Sequence, residues 1–265
     1  MDLNTVTEFV AAPQPADWRP GDAWLAGGTW LFSEPQDDIH RLLDLTSLNW
    51  PPIELKGDLR IAATCTVAEL YRFEPPAGIT IGSLIRQCCH AFLASFKIWN
   101  LATIGGNLGN ALPAGPMISL TAALDGRCEL WSASTIRQVD VVDLITGNNE
   151  NALAPGELIR SITLPAGVLR SRSAFRQQSL NPHGRSAALL IGRLDPDGQF
   201  VLTVTAATVR PVQLRFDRLP GADELRATID AVIGLELYHD DVHGLPAWRR
   251  HLTYRLAEEL RQELS

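Results

Sequence analysis

The chain of 265 residues contains little cysteine and no long apolar run. Its four cysteines include no CxxC pair, so their spacing fits neither an iron–sulfur cluster nor a zinc site, and we interpret them as buried, reduced side chains. No apolar stretch approaches the roughly 20 residues of a membrane-spanning helix, and the N-terminal residues lack the basic region and apolar core of a signal peptide. We therefore expect a cytoplasmic protein without a metal site.

A surplus of positive charge is also missing. The formal net charge is -7, which argues against nucleic acid as a partner, because such binding rests on clustered positive charge. With 46% hydrophobic and 20% charged residues, the composition is that of a globular protein, and the length fits two modest domains.

Two common nucleotide-binding fingerprints are absent. The sequence contains neither GxGxxG nor GxxxxGK[ST], so a Rossmann dinucleotide site and a P-loop both lack their motif. It has instead two other glycine segments, LAGGT at residues 25–29 and ATIGGNLGNALPAG at residues 102–115. A cluster of glycines needs a physical reason, because glycine weakens the interior of a helix or strand.

The pattern of apolar runs predicts a mixed α+β chain. In the first half, Trp24 to Ala26 reads as a strand, and Thr66 with Glu69 predicts a capped helix. The second glycine segment is predicted to be a loop that leads into a helix beginning at Pro116. In the second half, strands are predicted at residues 158–164, 173–178, 187–193 and 200–210, followed by helices at residues 222–233 and 247–264.

The glycine segments suggest an anion site. Residues without Cβ allow backbone N–H groups to converge on an anion, and a following helix N-terminus adds a favourable dipole. Two such loops could hold a pyrophosphate from both sides, and a chain with a net charge of -7 would need such directed donors. Each glycine pair taken alone, however, is more often a simple tight turn.

The two segments together resemble the FAD-binding subunit of molybdenum hydroxylases, the family of the xanthine dehydrogenase and carbon monoxide dehydrogenase flavoproteins. The resemblance extends, in the same order along the chain, to IAATCTVAEL at residues 61–70, GELIRSITLP at residues 156–165 and SAFRQQS at residues 173–179. It implies a FAD-binding fold of two α+β subdomains of the vanillyl-alcohol-oxidase (PCMH) type, followed by a small C-terminal α+β domain. We expect the FAD-binding domain at residues 1–154, with its subdomain break near residues 50–58, and the C-terminal domain at residues 155–265.

The resemblance also implies a function. In this family a molybdopterin-binding large subunit hydroxylates the substrate, an iron–sulfur small subunit relays electrons, and the FAD subunit passes them to NAD, oxygen or another acceptor. Molybdopterin and iron–sulfur clusters are then expected only in partner subunits. By matching position, the resemblance assigns FAD binding to Leu25, Ala26, Gly27, Gly28, Thr29, Trp30, Thr103, Gly105, Gly106, Asn107, Asn110 and Arg176, the last near the flavin ring. No catalytic acid or base is assigned.

Two alternatives stay open at this point. Trp30, Leu112 and Pro116 stand where the family commonly has an acidic residue, a serine and an aspartate. These departures motivate a non-catalytic, flavin-poor relative that acts as an assembly or interaction subunit. A stand-alone flavin oxidase is a third possibility, although the sequence offers no evident catalytic base. The substrate and the final electron acceptor are not encoded in these motifs.

Overall fold

The computed structural model describes residues 3–265 and contains three main sheets with helices between them. The strands are β1 (Glu8–Ala11), β2 (Asp22–Leu25), β3 (Arg41–Asp44), β4 (Ile53–Lys56), β5 (Asp58–Ala62), β6 (Arg127–Trp131), β7 (Ile136–Asp140), β8 (Ile145–Gly147), β9 (Glu150–Asn151), β10 (Leu158–Leu164), β11 (Arg172–Gln178), β12 (Ala188–Leu194), β13 (Phe200–Thr205) and β14 (Val212–Phe216). The α-helices are α1 (Val67–Arg72), α2 (Gly82–Ala91), α3 (Phe96–Trp99), α4 (Ile104–Asn110), α5 (Pro116–Ala123), α6 (Val141–Leu144), α7 (Ala222–Val232) and α8 (Pro246–Leu264). Among the described residues, no helix is both long and apolar enough to cross a membrane.

The N-terminal sheet has three parallel strands in the order β1-β3-β2. Asp22 on β2 and Arg41 on β3 are register partners and form an ion pair at 2.6 Å, with side chains that are 2% and 12% exposed. The hydrogen bond to Arg41 lowers the pKa of the Asp22 carboxyl, so the pair stays charged at neutral pH. Because β2 ends at Leu25, the first glycine segment lies at the carboxyl edge of this parallel sheet.

A five-stranded sheet follows, in the order β4-β5-β10-β6-β7. Its core also includes buried residues of α1, α2, α4 and α5. The strand β10 pairs with both β5 and β6, and so lies at the centre of this sheet. The division near residue 155 stays a prediction; the central strand β10, which begins at Leu158, pairs with β5 and β6, both of which precede it in the chain.

The C-terminal part is an antiparallel meander of β11 to β14, with α7 and α8 contributing to its core. The tight turn between β12 and β13 has its glycine, Gly198, at φ +93°, as the turn sequence indicates. The predicted strand at 200–210 ends early at Thr205, because Ala206 adopts φ +60° and donates its N–H to the Pro113 carbonyl at 2.9 Å. This contact joins the C-terminal part to the second glycine segment.

The prediction that the second glycine segment is entirely a loop is wrong. Its central residues form α4, and Thr103 is the N-cap because its side chain accepts a hydrogen bond from the Gly106 N–H. Glycine has poor helix propensity, so the local sequence disfavours this helix. Tertiary contacts stabilise it: Ile104 N–H donates to the Cys65 carbonyl and Gly105 N–H to the Ala63 carbonyl, each at 2.9 Å.

Candidate cofactor-binding site

A cavity of about 690 Å³ lies where the two glycine segments meet. Every predicted site residue except Arg176 lines this cavity. The lining residues that the sequence predicts are Leu25, Ala26, Gly27, Gly28, Thr29, Trp30, Thr103, Gly105, Gly106, Asn107 and Asn110. The cavity therefore unites residues that are more than 70 positions apart in the chain.

Close packing holds the two segments together. A Cβ on Gly27 would lie 1.7 Å from the Leu101 carbonyl oxygen, so only glycine permits this approach of one backbone to the other. The neighbouring Gly28 has φ +66°, and a Cβ there would lie 2.4 Å from the Phe32 ring. The first pair of glycines is thus required both for contact with the second segment and for the turn that shapes the loop.

The first segment presents unused hydrogen-bond donors. Within residues 3–265, none of the backbone N–H groups of residues 26–30 donates to another protein atom. These residues line the cavity, and consecutive free N–H groups in a glycine turn form a concave site for an anion. The first segment therefore has backbone donors that the described part of the protein does not use, next to the cavity.

The second segment uses its amides differently. The N–H of Gly106 donates to the Thr103 hydroxyl at 3.0 Å, and that of Asn107 donates to the Thr103 carbonyl at 3.0 Å. Since Ile104 and Gly105 also donate to protein carbonyls, the first turn of α4 has no free N–H group for a ligand. The first turn of α4 therefore supplies no backbone donor to an anion. The N–H groups of Thr103 and Leu112, which also line the cavity, have no acceptor among residues 3–265, so the expectation that backbone amides of both segments hold an anion stays a prediction.

Gly105 allows the close packing that shapes this side of the cavity. A Cβ at this position would lie 2.4 Å from the Cβ of Ala63 and 2.8 Å from its carbonyl oxygen. The residue is buried, and its N–H bonds to that same carbonyl. Gly105 therefore allows α4 to pack directly on the chain that leaves β5, which also lines the cavity at Ala63.

Asn107 connects the cavity to α5. Its Oδ1 accepts a hydrogen bond from the Met117 N–H at 3.1 Å, at the start of that helix. Pro116 is the first residue of α5 and has no N–H, so its place in the first turn leaves no additional donor to satisfy. The amide oxygen of Asn107 is thereby engaged by the protein, and its NH2 group is the end available to a ligand.

One ion pair borders the cavity. The Glu157 side chain, which is only 5% exposed, accepts two hydrogen bonds from Arg137, at 2.7 and 2.6 Å. It also accepts the Ala154 N–H. The Arg137 guanidinium holds the pKa of the Glu157 carboxyl below its usual range. Arg137 therefore offsets a negative charge that would repel an anionic ligand.

Arg176 lies elsewhere. Its guanidinium forms ion pairs with Glu259 at 3.0 Å and Glu263 at 2.7 Å, both on α8. Arg176 is not among the residues that line the cavity, so the structure does not bring this predicted site residue to the others. Two carboxylates already surround its charge.

Sequence reasoning missed the remaining lining residues, most of which are apolar. Some of them, such as Gly109, Leu112 and Glu157, lie in the motifs quoted above, but the resemblance does not assign them to the site. The apolar ones are residue types that also fill the core. Asn149 is different: it follows Gly147 and Asn148 in a recognisable turn and has φ +56°. The missed residues are Trp24, Leu31, Leu45, Ala63, Phe92, Ile98, Ala102, Gly109, Leu112, Asn149, Leu153, Glu157, Leu158 and Ile159.

Comparison with known proteins identifies similar chains. The family described as FAD binding domain in molybdopterin dehydrogenase matches residues 2–167. The chain is 26% identical to the nicotinate dehydrogenase FAD-subunit of Eubacterium barkeri, over 88% of this chain and 82% of that subunit. It is 27% identical to the xanthine dehydrogenase FAD-binding subunit of Escherichia coli O157:H7, over 56% of this chain. The matched region spans only 51% of that second subunit.

Solved structures show the same fold. A chain of quinoline 2-oxidoreductase from Pseudomonas putida 86 superposes with a TM-score of 0.80 at 18% identity, covering 100% of this chain and 99% of that one. A chain of CO dehydrogenase from Oligotropha carboxidovorans gives a TM-score of 0.78 at 21% identity, covering 91% and 89%. These likenesses confirm the predicted fold class.

Proposed function

Because the chain belongs to the family described as FAD binding domain in molybdopterin dehydrogenase, we propose that it is the FAD-binding electron-transfer subunit of a molybdopterin-dependent hydroxylase or dehydrogenase. The observation that carries this proposal is the cavity that both glycine segments line, where the N–H groups of residues 26–30 have no acceptor among residues 3–265. Glycine packing and unused donors together fit an elongated ligand that carries a pyrophosphate.

The residues present fit FAD. In this proposal the N–H groups of residues 26–30 bind the pyrophosphate, and Thr29 and Asn110 add side-chain donors. The apolar lining, which includes Leu45, Leu153 and Ile159, accommodates the less polar parts of the cofactor. Directed donors of this kind allow an anion to bind to a protein whose net charge is -7.

The protein contributes binding and orientation. Bound FAD supplies the redox chemistry, as is usual where a cofactor performs electron transfer. A thiol relay through the chain's own cysteines is disfavoured, because burial raises the pKa of Cys89 and of Cys128 to about 12 and both remain thiols at neutral pH. The chain's own groups therefore hold the cofactor and exclude water from the apolar part of the cavity.

The partners follow from the family. We expect the chain to assemble with a molybdopterin-binding large subunit and an iron–sulfur small subunit, to receive electrons from the latter and to pass them to NAD, oxygen or another acceptor. The names of the relatives support this placement, since they are FAD subunits of nicotinate and xanthine dehydrogenases. The substrate would be chosen in the molybdopterin subunit.

The purified chain, alone and with co-expressed partners, tests the proposal. Flavin released by heat or acid should be FAD at about one per chain, and stripped protein should bind FAD more tightly than FMN or riboflavin, which lack the pyrophosphate-linked adenosine. Equal affinity for FMN would contradict the pyrophosphate site. A colourless complex that assembles normally and takes up no FAD would instead favour the alternative, a flavin-poor assembly subunit.

A further inference from the structure

The short hairpin of β8 and β9 forms hydrogen bonds with the C-terminal end of α4. Asn149 donates its backbone N–H to the Ala111 carbonyl at 3.0 Å and its side-chain Nδ2 to the Asn110 carbonyl at 2.9 Å. Asn151 Nδ2 donates to the Gly109 carbonyl at 2.8 Å. These carbonyls lie at the C-terminus of α4, where intrahelical partners run out. We call the two side chains of Asn149 and Asn151 the amide clamp.

Within the amide clamp, Asn149 determines the orientation of the Asn110 amide. A backbone carbonyl can only accept, so the Asn149 atom that faces the Asn110 carbonyl must be its nitrogen. The same nitrogen lies 3.2 Å from the Asn110 side chain, so the Asn110 atom that faces it must be the oxygen Oδ1. The NH2 group of Asn110 is then the end left without an acceptor among residues 3–265.

We propose that Asn149 is a positioning residue that holds the Asn110 amide with its NH2 group available to an acceptor atom of the cofactor. Asn110 lines the cavity, and so does Asn107, whose oxygen is likewise engaged by a protein N–H. Both amides thus offer donors to an anionic ligand. This inference rests on the proposed FAD site and adds a residue outside both glycine segments, since Asn149 also lines the cavity.

Glycine is the suitable replacement for removing the side chain at position 149. Asn149 has φ +56°, which glycine adopts without strain, whereas alanine would add a backbone penalty. The matched control is Asn148→Gly in the same turn, because the Asn148 side chain makes no hydrogen bond in the described part of the chain. We expect Asn149→Gly to weaken FAD binding about 3- to 10-fold and Asn148→Gly to leave it within about 2-fold.

Asn149→Asp is an isosteric second variant. A carboxylate has no N–H, so the Asn110 amide must turn its NH2 group toward Asp and present its oxygen to the cofactor. We expect Asn149→Asp to bind FAD more weakly than Asn149→Gly, although it can still contact the same loop. Near-ultraviolet circular dichroism of the stripped variants establishes that each is folded at the titration temperature. If Asn149→Asp bound FAD as tightly as the wild type, the inference would be overturned.

A double-mutant cycle separates positioning from a general structural role. If Asn149 acts through Asn110, Asn149→Gly should change the affinity for FAD by less than about 2-fold in the Asn110→Ala background. Costs that simply multiply would show that Asn149 acts independently and would overturn the inference. Failure of the wild-type chain and of its assembled complex to bind FAD would refute the proposed function, whereas tight wild-type binding with an unaffected Asn149→Gly variant would refute only this inference.

Discussion

The two glycine segments look alike in sequence but do different work in the structure. Among residues 3–265, the backbone N–H groups of residues 26–30 have no acceptor, whereas the N–H groups of the first turn of α4 all have protein acceptors. Glycine in the first segment allows a loop to approach another backbone, and Gly105 in the second allows a helix to pack against Ala63. Similar glycine patterns can therefore serve ligand binding in one place and packing in another.

Because of this difference, substitutions in the two segments should have different effects. In the first segment, a change that moves the loop displaces N–H donors that have no acceptor among residues 3–265, so it breaks no hydrogen bond that these donors make there. In the second, a change disturbs hydrogen bonds and contacts that stabilise the chain even without ligand. Cofactor affinity and the free energy of unfolding of the stripped chain should therefore respond unequally to changes in the two segments.

Gly27→Ala should have the largest effect on FAD binding. The new Cβ would overlap the Leu101 carbonyl, so the two segments must separate. We expect a 10- to 100-fold loss of FAD affinity, corresponding to about 1–3 kcal/mol of overpacking. Titration of the stripped protein measures it. Gly167→Ala is the control, since a Cβ there meets no atom within 4 Å; equal effects of both variants would contradict the role of the contact.

Gly105→Ala should affect stability first. Its Cβ would overlap both the side chain and the backbone of Ala63, within the buried contact between α4 and the chain after β5. We expect the free energy of unfolding of the stripped chain to fall by about 1–3 kcal/mol in urea denaturation. A variant with unchanged stability and lost FAD would mean that the second segment resembles the first more closely than its hydrogen bonds indicate.

Arg137→Met should produce a smaller, pH-dependent effect. In the wild type the pKa of Glu157 is lowered by Arg137, so the pair contributes stability above the ordinary pKa of a glutamate and loses it as the pH falls through the lowered value. Without Arg137, the nearly buried carboxylate costs stability at neutral pH and is relieved by protonation. The stability difference between wild type and variant should therefore be larger at pH 7 than near pH 4, measured by urea unfolding; a constant difference would exclude this linkage.

Arg176→Ala should have the smallest effect. The ion pairs with Glu259 and Glu263 are partly exposed, and such pairs contribute about 0–1 kcal/mol. Because Arg176 lies outside the cavity, FAD content and affinity should remain those of the wild type. A marked loss of FAD from this variant alone would restore the sequence-based expectation that Arg176 lies near the flavin.

Much of the fold was predictable because its signals are local. Thr66 and Glu69 form the expected reciprocal cap of α1, and Gly198 occupies the expected turn. The α4 helix was not predictable, because its glycines disfavour a helix. It is stabilised by hydrogen bonds to the carbonyls of Ala63 and Cys65, which are distant in sequence. The early end of β13 depends likewise on a contact with Pro113, which no window of neighbouring residues contains.

For the site, the sequence by itself determined which residues have no Cβ, which side chains can donate, and the resemblance that identifies FAD as the cofactor. Only the tertiary structure decided which amides remain free, because a donor is available to a ligand only if no protein acceptor reaches it first. It likewise left Arg176 between two glutamates and placed Asn149 beside Asn110. Such pairings depend on the meeting of distant segments, and sequence spacing does not specify that meeting.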